Sequence, residues 1–272
     1  MKNVIDYYTS FASKEWDRLE REPIEFAVNY HYITHYLPTS GHILDNGAGP
    51  GRYSIELAKR GYHISLTDLT PNFVSMAQEK AEEYNLLHQF NNFTVTDAQD
   101  LSIYQDEIFD AALMLGPMYH LQEEQTRNKA IQELHRVTKK NGFVFVAFRS
   151  RTNHAMYSLL DPEHWKPNDN INSIQEFLQT GVFNHTDKGR FTGAYFFNVE
   201  DVKPFMEENG FETIELLGST NLGALLKNDA IETWRDKGKE EYNQFISLLI
   251  SLAKEPSILG ISSHLLYIGK KK

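Results

Sequence analysis

Short hydrophobic runs alternate along the chain with amphipathic stretches, a pattern typical of an α/β protein. Four β-rich runs carry the signal, at residues 62–67, 93–96, 108–115 and 143–148. A helical pattern over about residues 71–85 follows the first run, with Pro71 at its first position, where the missing N–H is not needed. Because parallel strands require crossover connections, the alternation predicts a mostly parallel sheet flanked by helices.

The second half of the chain continues the alternation. Ala130, Ile131, Leu134 and Val137 form an apolar helical stripe, which we expect to end at Asn141-Gly142. The run 143–148 is apolar on both faces, as in a central strand. Beyond Glu200 the pattern predicts, in order, a helix to Gly210, a strand Phe211–Leu217, one helical stretch over roughly 224–254, and a strand His264–Ile268.

Two regions fall outside the alternation. Residues 3–37 read as helical and stop before Pro38, and residues 150–198 contain eight aromatic residues among turn-forming ones. We interpret both as caps over the strand ends, the second as either an apolar acceptor pocket or the cap's own core. The predicted organisation is one structural domain with four parts: a helical lid 1–39, a core 40–149, an inserted cap 150–198, and the rest of the core 199–272.

The strongest motif is an apolar strand that runs into a glycine-rich turn and then a helix. Residues 43–53 contain Asp45-x-Gly47-x-Gly49-x-Gly51. Glycines let the backbone approach a ligand, and the helix that follows offers unpaired N–H groups at its start. Asp68, 23 residues after Asp45, ends the second strand, where an acid can bind a ribose diol. Turns also use glycine for steric reasons alone, and Asp68 has an alternative role as a helix cap, although Thr70 is suited to that position.

The spacing argues against a dinucleotide. The Gly-x-Gly-x-x-Gly fingerprint places a glycine where this chain has Arg52, and Gly51 comes one residue early. A third acid, Asp97, follows the strand 93–96 and is suited to the amino group of adenine, with the Ala98 amide beside it; the alternative is an exposed aspartate that ends a strand.

Taken in order, these motifs and the segment Phe109–Leu121 resemble the class I S-adenosylmethionine-dependent methyltransferases, close to their small-molecule type 11/12 branch. The resemblance covers about residues 40–150, and residues 211–218 and 264–269 more loosely. The segment Glu15–Leu19 is similar to the N-terminal segment of a bacterial subgroup. The resemblance implies a Rossmann-like, doubly wound, seven-stranded, mostly parallel sheet closed by an antiparallel pair, with S-adenosylmethionine as cofactor and S-adenosylhomocysteine as product.

The resemblance also implies the residues that bind the cofactor. The glycine turn would line its methionine part, Asp68 its ribose, Asp97 and Ala98 its adenine, and Leu115-Gly116 would pass beneath the sulfonium. The full set is Asp45, Asn46, Gly47, Ala48, Gly49, Gly51, Arg52, Asp68, Leu69, Asp97, Ala98, Leu115 and Gly116, together with Tyr8, Trp16 and Arg18 of the lid.

Methyl transfer from a sulfonium is an in-line displacement, so a catalytic base is optional. His120 and Tyr119 directly follow the fourth strand and are the candidate base; in the alternative they only shape the pocket. Arg149, Arg151, His154 and Tyr195 are candidates to meet the acceptor, with surface roles as the alternative. No metal site is expected, because His31 and His35 have zinc-ligand spacing but lack a third ligand.

The amino-acid composition limits the classes of molecule that the protein is expected to bind. The chain has 272 residues with 27 Lys+Arg, 37 Asp+Glu, a net charge of −10 and no cysteine. The acidic balance argues against nucleic acid, and the zero cysteine count excludes disulfides and cysteine nucleophiles. No apolar run spans a membrane, so we expect a cytoplasmic monomer or homodimer, with Lys270–Lys272 as a solvated tail. The predicted function is methylation of a small organic acceptor; the alternatives are a non-catalytic protein of the same fold and an NAD(P)-dependent oxidoreductase.

Overall fold

The structure is a computed structural model that describes residues 15–17, 22–187, 190–226 and 228–272. Its strands are β1 His42–Asn46, β2 His63–Asp68, β3 Phe90–Val95, β4 Phe109–Met114, β5 Thr138–Arg149, β6 Val182–Phe183, β7 Ala194–Tyr195, β8 Phe211–Gly218 and β9 His264–Lys271. Its helices are α1 Pro23–Tyr36, α2 Arg52–Ala58, α3 Pro71–Glu83, α4 Glu124–Val137, α5 Arg151–Leu160, α6 Ile171–Thr180, α7 Val199–Glu208, α8 Asn228–Asp236, α9 Lys239–Leu252 and α10 Pro256–Leu259.

Seven of the described strands form one sheet in the order β3-β2-β1-β4-β5-β9-β8. Strands β1 to β5 are mutually parallel, and β9 is antiparallel to both β5 and β8. The chain moves outward from β1 to β3 and then returns to β4, so the strand order reverses between β1 and β4. Ligands of doubly wound sheets bind at the carboxyl edge near this reversal. The predicted seven-stranded, doubly wound, mostly parallel sheet is confirmed.

Helices cover both faces of the sheet. Ile43 and Leu44 are neighbours on β1, point to opposite faces, and are both fully buried, each in a different apolar cluster. The first cluster includes side chains from α1, α2, α3 and α9, and the second includes side chains from α4 and α7. Burial on both faces explains why the central strands have no alternation of polar and apolar residues.

The segment between β5 and α7 folds over the carboxyl edge. Helices α5 and α6 and the hairpin β6–β7 enclose a small apolar core that contains Phe177, Phe183 and Phe196, with Trp165 and Phe191 packed against it. The aromatic residues of this segment therefore pack mainly against one another. Of the two interpretations of this segment, the cap's own core is the one that the structure supports.

Several element boundaries differ from the prediction. Helix α4 ends at Val137, and the next residue already begins β5. Asn141 has a φ of +64° within that strand, and a Cβ on Gly142 would lie 2.9 Å from the carbonyl oxygen of Asp110. Asn141 thus adopts a left-handed conformation within β5, and Gly142 allows β5 to pack closely on β4. The pair does not end the helix.

The predicted long helix over 224–254 is two helices, α8 and α9, separated at Gly238, whose φ is +106°. Of the region 3–37, residues 15–17 and 22–37 lie within the described residues, and the latter contain α1. Lys271 does not belong to a solvated tail: it extends β9, and its Nζ donates to the carbonyl of Thr138 at 2.9 Å and contacts Glu107 at 3.1 Å. In the described part of the chain, no helix has the length and apolar character needed to cross a membrane.

Candidate active site

A cleft opens at the carboxyl edge of the sheet, beside the point where the strand order reverses. It encloses about 1090 Å³ of empty space, counted out to the solvent. Its walls come from the ends of β1, β2, β3 and β4 and from the turns that follow them. Of the predicted residues, those that line it are Asp45, Gly47, Ala48, Gly49, Arg52, Asp68, Leu69, Asp97, Ala98, Leu115, Gly116, Tyr119 and His120.

The glycine turn forms one wall through its backbone. The N–H groups of Gly47 and Ala48 both donate to the carbonyl of Thr67, at 2.8 and 3.0 Å. Gly47 has a φ of +74°, and a Cβ there would lie 2.3 Å from Cγ of Pro117. Gly49 has a φ of +56° and faces open space, with nothing within 4 Å of the position of a Cβ. The turn therefore requires glycine at both positions, and Gly49 leaves room for a ligand beside the backbone.

Gly51 and Asn46 were expected to line the cleft, but the structure places both behind it. A Cβ on Gly51 would meet Leu66 and Ala77 at 3.0 Å, so this glycine allows α2 and α3 to approach the sheet. Asn46 ends β1 with 1% of its surface exposed, and it accepts a hydrogen bond from Oγ1 of Thr67 at 3.1 Å. Both residues support the turn from its buried side.

Asp45 is a buried acid in the wall of the cleft. It is 2% exposed and accepts a hydrogen bond from Oγ of Ser54 at 2.7 Å. Burial raises the pKa of Asp45 to about 7, although the bond from Ser54 opposes the shift. A carboxyl group in this position gains most from a ligand that brings a positive charge, since the cation would favour the ionised form.

Asp68 combines a structural and a candidate binding role. Its two carboxylate oxygens accept the N–H groups of Gly49 and Thr70, at 2.8 and 2.7 Å. Thr70 was expected to cap α3 with its side chain but makes no such hydrogen bond. Burial raises the pKa of Asp68, while the two backbone bonds lower it. Each oxygen keeps acceptor capacity for hydroxyl groups in the cleft.

Asp97 and Ala98 follow β3 at the far end of the cleft. One carboxylate oxygen of Asp97 accepts the backbone N–H of Gln99 at 2.9 Å and its side-chain amide at 3.1 Å. Ala98 is 8% exposed. The N–H of Thr96, the residue before Asp97, donates to the carbonyl of Asp68 at 3.1 Å and so ties the end of β3 to β2. The three acids thus lie at the ends of three neighbouring strands, β1, β2 and β3.

The lid residues are only partly described. Tyr8 and Arg18 lie outside the described residues. Trp16 is buried against Ile55 and Ala81 and does not line the cleft. The guanidinium of Arg52, which does line it, lies 5.2 Å from the centroid of the Trp16 ring. Trp16 therefore contacts Arg52, a residue of the cleft wall, without reaching the cleft itself.

Tyr119 and His120 lie in a 3₁₀ turn after β4, at the end of the cleft opposite Asp97. The hydroxyl of Tyr119 donates to the carbonyl of Leu115 at 3.2 Å. Burial and the nearby positive charge of Arg149 lower the pKa of His120 to about 3, against a hydrogen bond with the carbonyl of Gly193. The imidazole is therefore neutral near pH 7 and weakly basic, which favours the alternative in which these residues shape the pocket.

None of the four acceptor candidates lines the cleft, neither Arg149 at the end of β5 nor Arg151, His154 and Tyr195 of the cap. Arg151 clamps the cap by donating to the carbonyls of Phe196 and Leu178, at 3.0 and 3.1 Å. The Tyr195 ring lies 3.6 Å from the guanidinium of Arg127, and the His154 ring stacks on Phe196 at 4.3 Å. Arg149 packs over the ring of Phe191 at 4.7 Å.

The cleft also contains residues that the sequence did not single out as ligand contacts. They are Glu15, Pro50, Tyr53, Thr70, Phe73, Thr96, Pro117 and Leu121. Most are chain neighbours of the motif residues, so proximity to a motif was the available signal. Phe73 lies in the first turn of α3, where helical side chains point back toward the N-terminus and hence toward the strand ends.

Comparison with known proteins assigns a family to the part of the chain that forms most of this cleft. Residues 43–142 match a protein family described as "Methyltransferase domain". Residues 43–142 therefore belong to a class I S-adenosylmethionine-dependent methyltransferase domain. The matched region includes the glycine turn, all three strand-end acids, Tyr119 and His120. The family predicted from the motifs is confirmed.

Individual relatives agree with this assignment. A tRNA (carboxymethyluridine(34)-5-O)-methyltransferase of Arabidopsis thaliana is 34% identical over 110 residues, which are 40% of this chain and 24% of that protein. A ubiquinone biosynthesis O-methyltransferase of Xylella fastidiosa (strain 9a5c) is 28% identical over 155 residues, which are 56% of this chain and 61% of that protein. The chain thus spans less than two thirds of the length of either relative.

Solved structures extend the likeness of fold beyond the matched region. The 1,6-didemethyltoxoflavin-N1-methyltransferase of Burkholderia thailandensis, solved with 1,6-didemethyltoxoflavin and S-adenosylhomocysteine, has a TM-score of 0.58 and 13% sequence identity. The alignment covers 100% of this chain and 88% of that one. The alignment includes the cap and the strands after it, so these parts share the overall fold of that structure.

Proposed function

We propose that this protein is a methyltransferase that binds S-adenosylmethionine in the described cleft and transfers its methyl group to a small organic acceptor. The observation that carries the proposal is the row of Asp45, Asp68 and Asp97 at the ends of three neighbouring strands, beside a glycine turn and within residues 43–142. A ligand with an amino group, a ribose and an adenine matches this row in order.

The chemistry of the donor set fits this cofactor. Asp45, buried and with its pKa raised, would receive the ammonium group of the methionine part. Asp68 would accept hydrogen bonds from the ribose hydroxyls with the capacity left beside its two backbone bonds. Asp97 and the Ala98 amide would contact the adenine, and Gly49 would leave space for the ligand near the turn.

The bound sulfonium supplies an activated methyl group, so the chain's own residues act by alignment and by exclusion of water. Leu115 and Gly116 directly follow β4 and would lie along the reacting part of the cofactor. A Cβ on Gly116 would be 3.3 Å from the carbonyl oxygen of Gly47, so the turns after β1 and β4 are in close contact. Tyr119 and His120 would bound the space into which the methyl group moves.

A small acceptor is favoured over a nucleic acid by charge and by coverage. The net charge of −10 opposes attraction to a phosphate backbone. The tRNA methyltransferase of Arabidopsis thaliana shares only 24% of its length with this chain, whereas the ubiquinone biosynthesis O-methyltransferase shares 61%. The ring of Phe191 in the cap lies 5.5 Å from the ring of His120, so the cap is next to this end of the cleft, where it would hinder the approach of a large partner.

The direct test is transfer of a labelled methyl group from S-adenosylmethionine to compounds below about 1 kDa in a metabolite extract, with Asp68→Asn as the inactive variant. Asp236→Asn is a matched control at an exposed position far from the cleft in the chain. We expect labelled small molecules with the wild type and the control only. Binding of the cofactor without any transfer would favour a non-catalytic protein, and tighter binding of NADH would favour an oxidoreductase.

A further inference from the structure

The strand order determines where the acceptor would lie. This step rests on the proposed function. Asp97 follows β3, Asp68 ends β2, the glycine turn follows β1, and Leu115-Gly116 follows β4. A cofactor placed along this row has its adenine over β3 and its reacting sulfur near β4. The acceptor then approaches from the next strands of the sheet, β5 and β9.

Strand β9 brings a histidine to this edge. Because β9 is antiparallel to β5, its first residue, not its last, lies at the carboxyl edge of the parallel strands. That residue is His264, which is paired with Arg149 in the ladder between β5 and β9. The ring of His264 lies 5.8 Å from the ring of Tyr119, at an angle of 67°, and Tyr119 lines the cleft.

Helix α1 places a carboxylate next to this histidine. Oε2 of Glu25 is 3.4 Å from Nδ1 of His264, and Oγ of Ser263 is also 3.4 Å from that nitrogen. Glu25 keeps 6% of its side chain exposed and His264 keeps 13%, so this is a largely buried pair. A carboxylate at Nδ1 favours the tautomer that carries its proton there, which makes Nε2 the basic nitrogen.

His120 lines the cleft and His264 packs against Tyr119, which also lines it, and the two histidines differ in their charged neighbours. His120 is fully buried, and Arg149 and burial lower its pKa to about 3. His264 has Glu25 from α1 on one side, Arg149 as its ladder partner on β5, and the ring of Tyr119 from the turn after β4. A carboxylate neighbour stabilises an imidazolium, whereas the surroundings of His120 oppose it. Of these two imidazoles, His264 is the one with a carboxylate as a close neighbour.

We propose that Glu25 and His264 form a carboxylate–imidazole pair that removes the proton from an acceptor whose hydroxyl or amine group is methylated. The acceptor gives its proton to Nε2 of His264, and its lone pair forms the new bond to the methyl carbon. The electron pair of the broken carbon–sulfur bond stays on sulfur. The positive charge thus moves from the sulfonium to the imidazolium, where Glu25 stabilises it.

This assignment narrows the substrate class. The acceptor carries an O–H or N–H group at the reacting position, such as a phenol, an alcohol or an amine. A thioether or another acceptor without such a proton would have no use for the pair. Glu25 is a positioning residue in this account, and His264 is the group that contacts the acceptor.

The pair can be tested without knowledge of the acceptor. Diethyl pyrocarbonate acylates accessible, neutral imidazoles, and mass spectrometry of peptides measures the rate at each histidine. The full-length protein is treated across pH 5 to 9, with and without saturating S-adenosylhomocysteine. We expect His264 to react in both states, with a rate that rises sigmoidally with pH.

Three variants separate the outcomes. Glu25→Gln should lower the midpoint of this pH dependence by about one unit, because the imidazolium loses its carboxylate partner. Glu25→Asp keeps the charge and should give a smaller shift. His88→Gln, at an exposed site, should leave it unchanged. If His264 reacts only after unfolding, or if its midpoint is the same in both Glu25 variants and the wild type, the proposal is wrong.

Turnover then connects the pair to the reaction. With catechol and sarcosine as phenol and amine probes, the wild-type rate should fall at low pH. His264→Gln should lose at least tenfold in rate at neutral pH while its affinity for S-adenosylhomocysteine is unchanged, and added imidazole should partly rescue His264→Gly. If S-adenosylhomocysteine does not bind the wild type, the proposed function fails. If it binds and His264 is inaccessible, only the role of the pair fails.

Discussion

At the scale of single residues, the most informative group is the carboxyl of Asp45. It is buried beside the glycine turn, and its pKa is raised to about 7. For a group whose pKa is higher in the folded than in the unfolded state, the stabilisation is full below the unfolded value and is lost as pH rises through the folded one. Asp45 therefore destabilises the folded protein most above pH 7, where its carboxyl group ionises.

Asp45→Asn should raise the free energy of unfolding of the ligand-free protein by about 2–4 kcal/mol at pH 8, with little gain at pH 4. The asparagine still accepts the hydrogen bond from Ser54 but carries no buried charge. Affinity for S-adenosylhomocysteine should fall at least tenfold, since its ammonium group loses a charged partner. Urea denaturation at both pH values measures the stability, and calorimetry measures the affinity. Equal stability of the two proteins at pH 8 would show that the ionised carboxyl of Asp45 does not destabilise the fold.

A second buried titratable group lies in the cap. His154 is 1% exposed, packs against Phe196, Phe183, Phe177 and Trp165, and neither ring nitrogen has a hydrogen-bond partner among the described residues. Burial, Arg149 and His185 lower its pKa to about 3. The unfolded chain binds a proton below about pH 6.5 and the folded chain does not, so stability falls as pH drops from 6.5 toward 3.

His154→Phe should therefore stabilise the protein more at acid pH than at neutral pH. The gain at pH 5 should exceed the gain at pH 8 by about 2 kcal/mol, from about 1.4 kcal/mol for each pH unit below 6.5. Urea denaturation at the two pH values measures it, with His88→Gln as the exposed control. A gain that is the same at both pH values would mean that the cap core admits the protonated ring.

Sequence reasoning found the acids of the cleft because each follows an apolar run, and strand ends meet at one edge. It did not show that Gly51 and Asn46 lie on the buried side of the turn, because the order of residues in a turn does not show which side faces the cleft. Glu25 and His264 carry no local motif. They are 239 positions apart in the chain, and only the antiparallel direction of β9 brings them together.

At the scale of elements, the apolar runs gave the central strands correctly, while the boundaries depended on packing. The Asn141-Gly142 pair is a common helix-end signal, but here it lies in β5 next to β4. The same holds for β9: Lys270 and Lys271 look like a polar tail, yet they pair with Phe143, Glu212 and Phe211 in neighbouring strands. Charge alone could not reveal that the tail is a strand.

Gly142→Ala tests whether close packing dictates this boundary. The added Cβ would meet Cγ2 of Thr138 at 2.7 Å and the carbonyl oxygens of Asp110 and Lys139 at 2.9 Å. We expect a loss of about 1–3 kcal/mol in the free energy of unfolding, measured by urea denaturation. Gly260→Ala is the matched control: its φ is −65°, and the nearest atom to a Cβ there, Cγ2 of Thr152, is 3.9 Å away, so it adds a methyl group without overlap or strain. If Gly142→Ala costs no more than the control, packing does not set the boundary.

At the scale of the whole molecule, the proposed cofactor site and the proposed acceptor site lie side by side along the carboxyl edge of the sheet. In the proposed function the cofactor would lie over β3, β2 and β1, and the acceptor would lie on the side of β4, β5 and β9. The first half could be predicted because its residues follow a fixed motif order within residues 43–142. The second half could not, since it is assembled from α1, the cap and β9, which come together only in the folded chain.

The account's central claim is that the strand-end acids bind S-adenosylmethionine and its product. Calorimetric titration with S-adenosylhomocysteine tests it most directly, on the wild type, on Asp68→Asn and on the exposed control Asp236→Asn. We expect micromolar binding to the wild type and the control, and a ten- to hundredfold loss in Asp68→Asn, from about 1.5–3 kcal/mol for a hydrogen bond to a charged acceptor. Equal affinity of Asp68→Asn and the wild type, or tighter binding of NADH than of S-adenosylhomocysteine, would contradict it.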